Sequence, residues 1–137
     1  MTDLSKLLLV FLLSYMPWAT ASPVAIALHG GAGTLTRNAI SSEQERADLE
    51  ILNEAVDQGY ERLQNGAAGS DVVREVIQLM ENSPLFNAGH GAVLTLEGTH
   101  ELDASIMMGQ DLAAGAVAGV TRVKNPIEAA YAVLKHS

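Results

Sequence analysis

The chain contains no cysteine, which excludes disulfides and thiolate metal sites. Basic residues are scarce: 8 Lys and Arg stand against 16 Asp and Glu, a formal net charge of -8. No basic cluster interrupts that balance, so charge argues against nucleic acid or anionic lipid as a partner. Charged residues are few overall at 18%, while hydrophobic ones reach 48%. That composition excludes disorder, and 137 residues suffice for one domain with a core of its own. The lack of cysteine leaves the compartment open.

The long apolar run, Leu7 to Leu13 with its continuation to Met16, is too short to be a permanent membrane span. Lys6 gives a thin positive start, partly cancelled by Asp3, and Pro17 stops the apolar stretch. Ala19-Thr20-Ala21 supplies the small-x-small pattern of a signal-peptidase site. Residues 1–21 therefore read as a signal peptide and residues 22–137 as the mature part of a single domain, exported to the periplasm or secreted. A buried N-terminal helix is the alternative.

From Pro23 the pattern changes. Val24 to Leu28 is a continuous apolar run with β-branched members, as in a strand buried on both faces. It leads into His29-Gly30-Gly31-Ala32-Gly33, a turn whose main-chain amides are unshielded. The Lys-Ser/Thr ending of a phosphate loop is missing, and the glycine spacing is not that of a dinucleotide fingerprint. Ser42 with Glu45 forms a capping box for a helix to Leu63. Its apolar stripe is Leu49, Leu52, Val56 and Leu63, with Ala55, Gly59 and Tyr60, and Gly66 closes it. A second helix starts at a Ser70 cap, buries Val73, Val76, Ile77 and Met80, and ends before Pro84.

The stretch Ser83 to Leu94 organises the rest. Pro84 has no amide hydrogen to continue a helix, and Gly89 and Gly91 permit close main-chain approach. Phe86 offers an apolar anchor, and Asn87 a side chain that both donates and accepts. An ordinary helix-to-strand connection around a buried Phe fits the same spacing. Three strands follow, at 92–96, 100–108 and 112–120, with turns at Glu97-Gly98 and Gly109-Gln110-Asp111. In the second, alternation places Glu101, Asp103 and Ser105 on one face and Leu102, Ala104 and Ile106 on the other. Such a carboxylate pair either holds a cation or proton, or is solvated or bonded to loop backbone. His100-Glu101 lacks the second histidine of a zinc helix, which excludes zinc. The small residues Ala113 to Gly119 imply close approach by another layer or by substrate. Asn125-Pro126 opens a last helix bearing Ile127, Ala130, Tyr131 and Leu134.

Taken together, H-G-G-A-G at 29–33, P-L-F-N-A-G-H-G-A-V at 84–93, H-E-L-D-A-S-I-M at 100–107, A-G-A-V-A-G-V at 114–120 and N-P at 125–126 resemble one family in order and spacing. It is the plant-type (type III) L-asparaginases and isoaspartyl peptidases, within the N-terminal nucleophile hydrolases. The resemblance implies an α+β fold, the αββα sandwich, of which this chain carries the α-subunit part. It implies a precursor that cuts itself between Gly and Thr, the freed Thr attacking asparagine or β-aspartyl dipeptides with its own α-amine as base. Neither Gly33-Thr34 nor Gly98-Thr99 resembles the family's junction, so the nucleophile and the residues that grip the substrate's α-groups are expected after Ser137. This chain alone is then inactive. The implied partners are a β-subunit from the same precursor, a second αβ unit in a dimer, and a small amide or dipeptide substrate, with no nucleic acid and no membrane.

The resemblance also implies supporting roles. Asn87 lies near the active site and helps position the nucleophile, while His29, Gly30, Gly31 and Gly33 belong to the loop that shapes the cleavage site. Main-chain carbonyls of Met80, Glu81, Ser83, Phe86, Ala88 and His90 match positions that bind a structural sodium ion; no organic cofactor is implied. Met108 stands where relatives commonly carry Asp or Asn, which leaves polar contacts at that turn in question. A glycosylasparaginase-like amidohydrolase, or a truncated non-catalytic chain, are the alternatives. The export reading has a direct check: N-terminal sequencing of protein from an export-competent host is expected to begin at Ser22, and a chain retaining Met1 would overturn it.

Overall fold

In the computed structural model, residues 23–31 and 40–136 are described; the signal peptide expected at 1–21, and Gly33, lie outside them. The elements run α1 (Ser42–Gln64), α2 (Gly69–Glu81), a 3-10 turn (Gly89–Gly91), β1 (Leu102–Met107), β2 (Ala114–Val120) and α3 (Pro126–His136). This helix-and-strand mixture agrees with the expected α+β class.

Helix α1 is capped one residue earlier than the sequence suggests. The Oγ of Ser41, not Ser42, accepts the Gln44 amide at 3.1 Å, while the Gln44 side chain donates to Asp48 at 2.9 Å, so Ser41 makes the hydroxyl half of a capping box. At the other end Gly66 takes φ +83. Its amide donates to the Leu63 carbonyl and that of Ala67 to the Arg62 carbonyl, each at 3.0 Å, the paired bonds of a Schellman closure. Helix α2 begins at Gly69 with Ala68 as its uncapped N-cap residue, not at a Ser70 cap. The Ala68 carbonyl accepts the amides of Asp71 and Val72, which already draws Ser70 into the first turn. The buried stripe shifts in step: Val72 and Val76 are buried, whereas Val73, expected inside, is 42% exposed.

Two cores result. Ala55, Val72 and Val76 form one, with Ile26, Leu28, Leu63, Ala67 and Leu79 against it. Gly59 lets the layers meet, since a Cβ there would stand 2.5 Å from Ile26 Cδ1 and 2.9 Å from Val76 Cγ2. The expected strand at Val24–Leu28 is instead an extended segment without regular structure. Ile26 and Leu28 face the helices while Ala25 and Ala27 are exposed; among the described residues no strand offers it a ladder partner, and only one face is covered.

Ile106, Ile127 and Ala130 form the second core, with Ile77, Ala104, Val117, Tyr131 and Leu134 packed on it. Strands β1 and β2 pair antiparallel, Ser105 opposite Ala116 and Ile106 opposite Gly115. The register slips between Leu102 and Ala104. There Gly119 takes φ +64 and donates its amide to Asp103 Oδ1 at 2.8 Å, so Asp103 secures a bulge. The alternation expected for β1 is observed: Leu102 and Ile106 buried, Asp103, Ser105 and Met107 exposed. The close approach expected at the Ala/Gly-rich strand is made by α3. A Cβ on Gly115 would stand 2.2 Å from the Ala130 carbonyl oxygen and 2.4 Å from the Leu134 nitrogen.

The expected strand at Ala92–Leu96 does not form. The Val93 amide is taken by Asn87 Oδ1, and the Thr95 amide by the Thr99 carbonyl at 2.7 Å in a turn closed by Gly98. With those amides committed locally, the segment cannot run a ladder. At the next turn Met108 contributes main chain only, its amide donating to Ala113 and its carbonyl accepting from Leu112, while Asp111 Oδ1 accepts the Ala113 amide.

The revised cap is testable by urea denaturation. Ser41→Ala is expected to cost about 1 kcal/mol, and Ser42→Ala less than about 0.5 kcal/mol; the reverse order would restore the Ser42 cap.

Candidate functional site

The loop from Ser83 to Ala92 leaves the end of α2 and folds back upon it. Phe86 is buried, and its ring meets the start of the glycine-rich segment: a Cβ on Gly30 would lie 3.5 Å from Phe86 Cε1 and 3.3 Å from Leu52 Cδ1. The structure thus brings together two motifs far apart in sequence. His29 helps shape that turn, its Nδ1 accepting the Gly31 amide at 3.1 Å. Gly31 has φ +137.

Asn87 is exposed, and its Oδ1 accepts the Val93 amide at 2.9 Å, bracing the loop across the 3-10 turn. Its side-chain amide hydrogens are not used in that bond, so Asn87 keeps a donor for a further group. Ser83 is buried, and its Oγ accepts the Leu85 amide at 3.2 Å.

The carbonyl-bearing residues lie close together. A Cβ on Gly89, which has φ +50, would stand 2.3 Å from the Glu81 carbonyl oxygen. A Cβ on Gly91 would stand 2.2 Å from the Phe86 carbonyl oxygen and 2.8 Å from that of Pro84. Met80, Phe86 and Ala88 each have a carbonyl that accepts one loop amide, from Ser83, Ala88 and Gly91 respectively. Each carbonyl oxygen carries two lone pairs, so one bond does not exhaust it.

Sequence reasoning considered Glu81 for its carbonyl alone; the structure gives its side chain a separate task. The carboxylate is buried, Oε1 accepts the Ile127 amide at 3.0 Å, and Oε2 has no partner among the described residues. Burial, reinforced by the nearby Glu128 charge, holds this carboxyl above the ordinary carboxylate range, and the bond from the Ile127 amide opposes that. The sequence did carry a signal. A glutamate closing a helix faces the negative end of the helix dipole, which calls for a compensating partner elsewhere. Here that partner is the N-terminus of α3. A cleft of about 370 Å³ is lined by Glu81, Asn82, Gly89 and His90 from the end of α2 and the loop, Leu102 from β1, and Val123 and Lys124 from the β2–α3 connection.

The family described as asparaginase matches residues 22–137. An isoaspartyl peptidase from Salmonella typhimurium is 51% identical over 112 residues, covering 82% of this chain and 36% of that protein. One from Escherichia coli is 49% identical, covering 82% and 35%. A plant-type L-asparaginase from Pyrococcus abyssi is 48% identical with the same two shares, 82% and 35%. The chain therefore spans about a third of the length of these curated relatives.

The loop's glycines yield a graded expectation for urea denaturation. Gly89→Ala combines a positive φ with a main-chain clash and is expected to cost about 3 kcal/mol. Gly98→Ala, at φ +76 in open space, is expected to cost only about 1 kcal/mol. Equal costs would mean that Gly89 is not pressed against Glu81.

Proposed function

Because the chain belongs to the asparaginase family, we propose that it is the α-subunit portion of an amidohydrolase acting on β-aspartyl dipeptides and asparagine. The observation that carries this reading is the family match across residues 22–137, with relatives named isoaspartyl peptidase and plant-type L-asparaginase. The meeting of Gly30 with Phe86 supports it, since it puts the glycine-rich turn beside the loop that bears Asn87.

In this reading the nucleophile is a Thr freed by cleavage of a Gly-Thr bond beyond residue 137. Its hydroxyl oxygen attacks the side-chain amide carbonyl while its α-amine takes the hydroxyl proton and passes it to the departing nitrogen. Ammonia leaves from asparagine, or an amino acid from a β-aspartyl dipeptide, and water then hydrolyses the ester. Asn87 uses its spare amide hydrogens to position the nucleophile, and the residues from His29 to Gly33 border the cleavage junction. The half carrying the Thr is the partner of this chain. It completes the αββα sandwich by covering the sheet face of Asp103, Ser105 and Met107, which is exposed. Two such αβ units form the assembled dimer, and the signal peptide places it outside the cytoplasm.

The loop suits a hard, weakly bound cation such as sodium, because its donors are uncharged carbonyl oxygens crowded around Gly89 and Gly91. Met80, Glu81, Ser83, Phe86, Ala88 and His90 would hold it by their main chain. A bound ion would supply positive charge that keeps those carbonyls facing inward.

The 137-residue chain alone is expected to release no ammonia from asparagine and no aspartate from β-aspartyl dipeptides. Protein that includes a Thr-led segment downstream of residue 137 is expected to split into two subunits and release both. Turnover by the isolated chain at enzymatic rates would overturn the assignment of the nucleophile.

A further inference from the structure

Glu81 is the residue at which the loop, the end of α2 and the start of α3 meet. Its main chain and Cβ lie directly beneath Gly89: a Cβ on that glycine would stand 2.3 Å from the Glu81 carbonyl oxygen and 2.8 Å from Glu81 Cβ. Its side chain turns the other way, and Oε1 accepts the Ile127 amide in the first turn of α3 at 3.0 Å. That amide is one of the donors a helix N-terminus leaves unpaired, and an acceptor carrying negative charge is favoured there. The other polar bridge from the end of α2 to Asn125 is weaker, Asn125 Nδ2 reaching Asn82 Oδ1 at 3.4 Å on the surface. The Glu81 bond borders the cleft between the loop and Val123-Lys124, while Arg74 and Gln78 join α2 to α3 at Glu128, one residue further on.

We propose that the Glu81 side chain is a positioning residue, which fixes the loop Ser83–Ala92 against the first turn of α3. The inference builds on the reading of this loop as the cation-holding, substrate-proximal loop. It adds that the loop's carbonyls keep their places through a side chain anchored to a different element. A buried carboxylate in this position costs desolvation, and an apolar residue of similar length would fill the space without that cost. What an apolar residue lacks is the acceptor that locks α3 to the loop.

Hydrogen exchange followed by NMR on the full chain tests this. The amides of Gly91, Ala92 and Val93 are hydrogen-bonded within the loop and report its order, whereas those of Ala55 and Gly59 report the first core. Glu81→Ala is expected to speed exchange at the three loop amides about tenfold, the effect of losing one charge-assisted hydrogen bond. The α1 amides stay unchanged. Glu81→Gln, which retains an oxygen facing the Ile127 amide, is expected to hold the loop within about twofold of the parent, as is Asn82→Ala. If Glu81→Ala does not fold, Glu81→Met, which keeps bulk and lacks the acceptor, is read in its place. Unchanged loop exchange without the acceptor overturns the proposal. So does equal loss in Glu81→Gln or Asn82→Ala, or parallel acceleration in α1, which would make Glu81 a general contributor to stability. Repeating the parent measurement in sodium and in choline at equal ionic strength separates the two readings. Loop protection that ignores sodium removes the cation, while the comparison of variants still decides the role of Glu81.

Discussion

The Arg74 guanidinium holds the two halves of the structure together. Its Nε and Nη2 donate to the two carboxylate oxygens of Glu128, each at 2.8 Å, and Nη1 donates to Asp71 at 3.1 Å. Its plane lies 4.0 Å from the centre of the Tyr131 ring. Gln78 donates to the same Glu128 carboxylate. Arg74 is half-buried, and its flat fork matches a carboxylate on one side and a ring on the other. Through it α2 serves both cores, turning Val72 and Val76 to α1 and Arg74, Ile77 and Gln78 to α3. An exposed pair such as Arg62 with Glu75 contributes much less, since water and salt screen it.

The loop from Ser83 to Ala92 depends on that arrangement. It leaves α2 one residue after Glu81, so whatever sets α2 against α3 also sets the loop's origin. Two contacts then fix its course: Phe86 beneath Gly30, and Asn87 bonded to Val93. Glycines at 89 and 91 allow the chain to pass over carbonyl oxygens at distances no side chain tolerates. The result is a wall of main-chain polar groups on which the Asn87 amide and the His90 imidazole are exposed.

Much of this was legible in the residues. Helical periodicity marked both long helices within a residue or two, and Pro126 marked the start of α3, because a residue without an amide hydrogen fits a first helical turn. Alternation from Leu102 to Met107 told the buried face of β1 from the exposed one. The small residues of β2 announced a close neighbour, and Gly115 against Ala130 is that neighbour. The motifs also pointed to the family, whose match spans residues 22–137. The cap was misplaced because Ser41 and Ser42 both satisfy the same pattern, and only backbone torsions select between them.

The sequence by itself determined the periodic elements and the presence of a glycine-lined loop, because those follow from local preferences a few residues long. Tertiary structure alone decided which apolar segments become strands. Val24–Leu28 and Ala92–Leu96 have the residues for it, yet a strand exists only where a partner presents free amides and carbonyls. It also decided where Glu81, a carboxylate set at the negative end of a helix, finds its partner: it turns inward to accept from Ile127. That contact joins residues 46 apart, and no local pattern encodes where a distant helix will leave an amide unpaired.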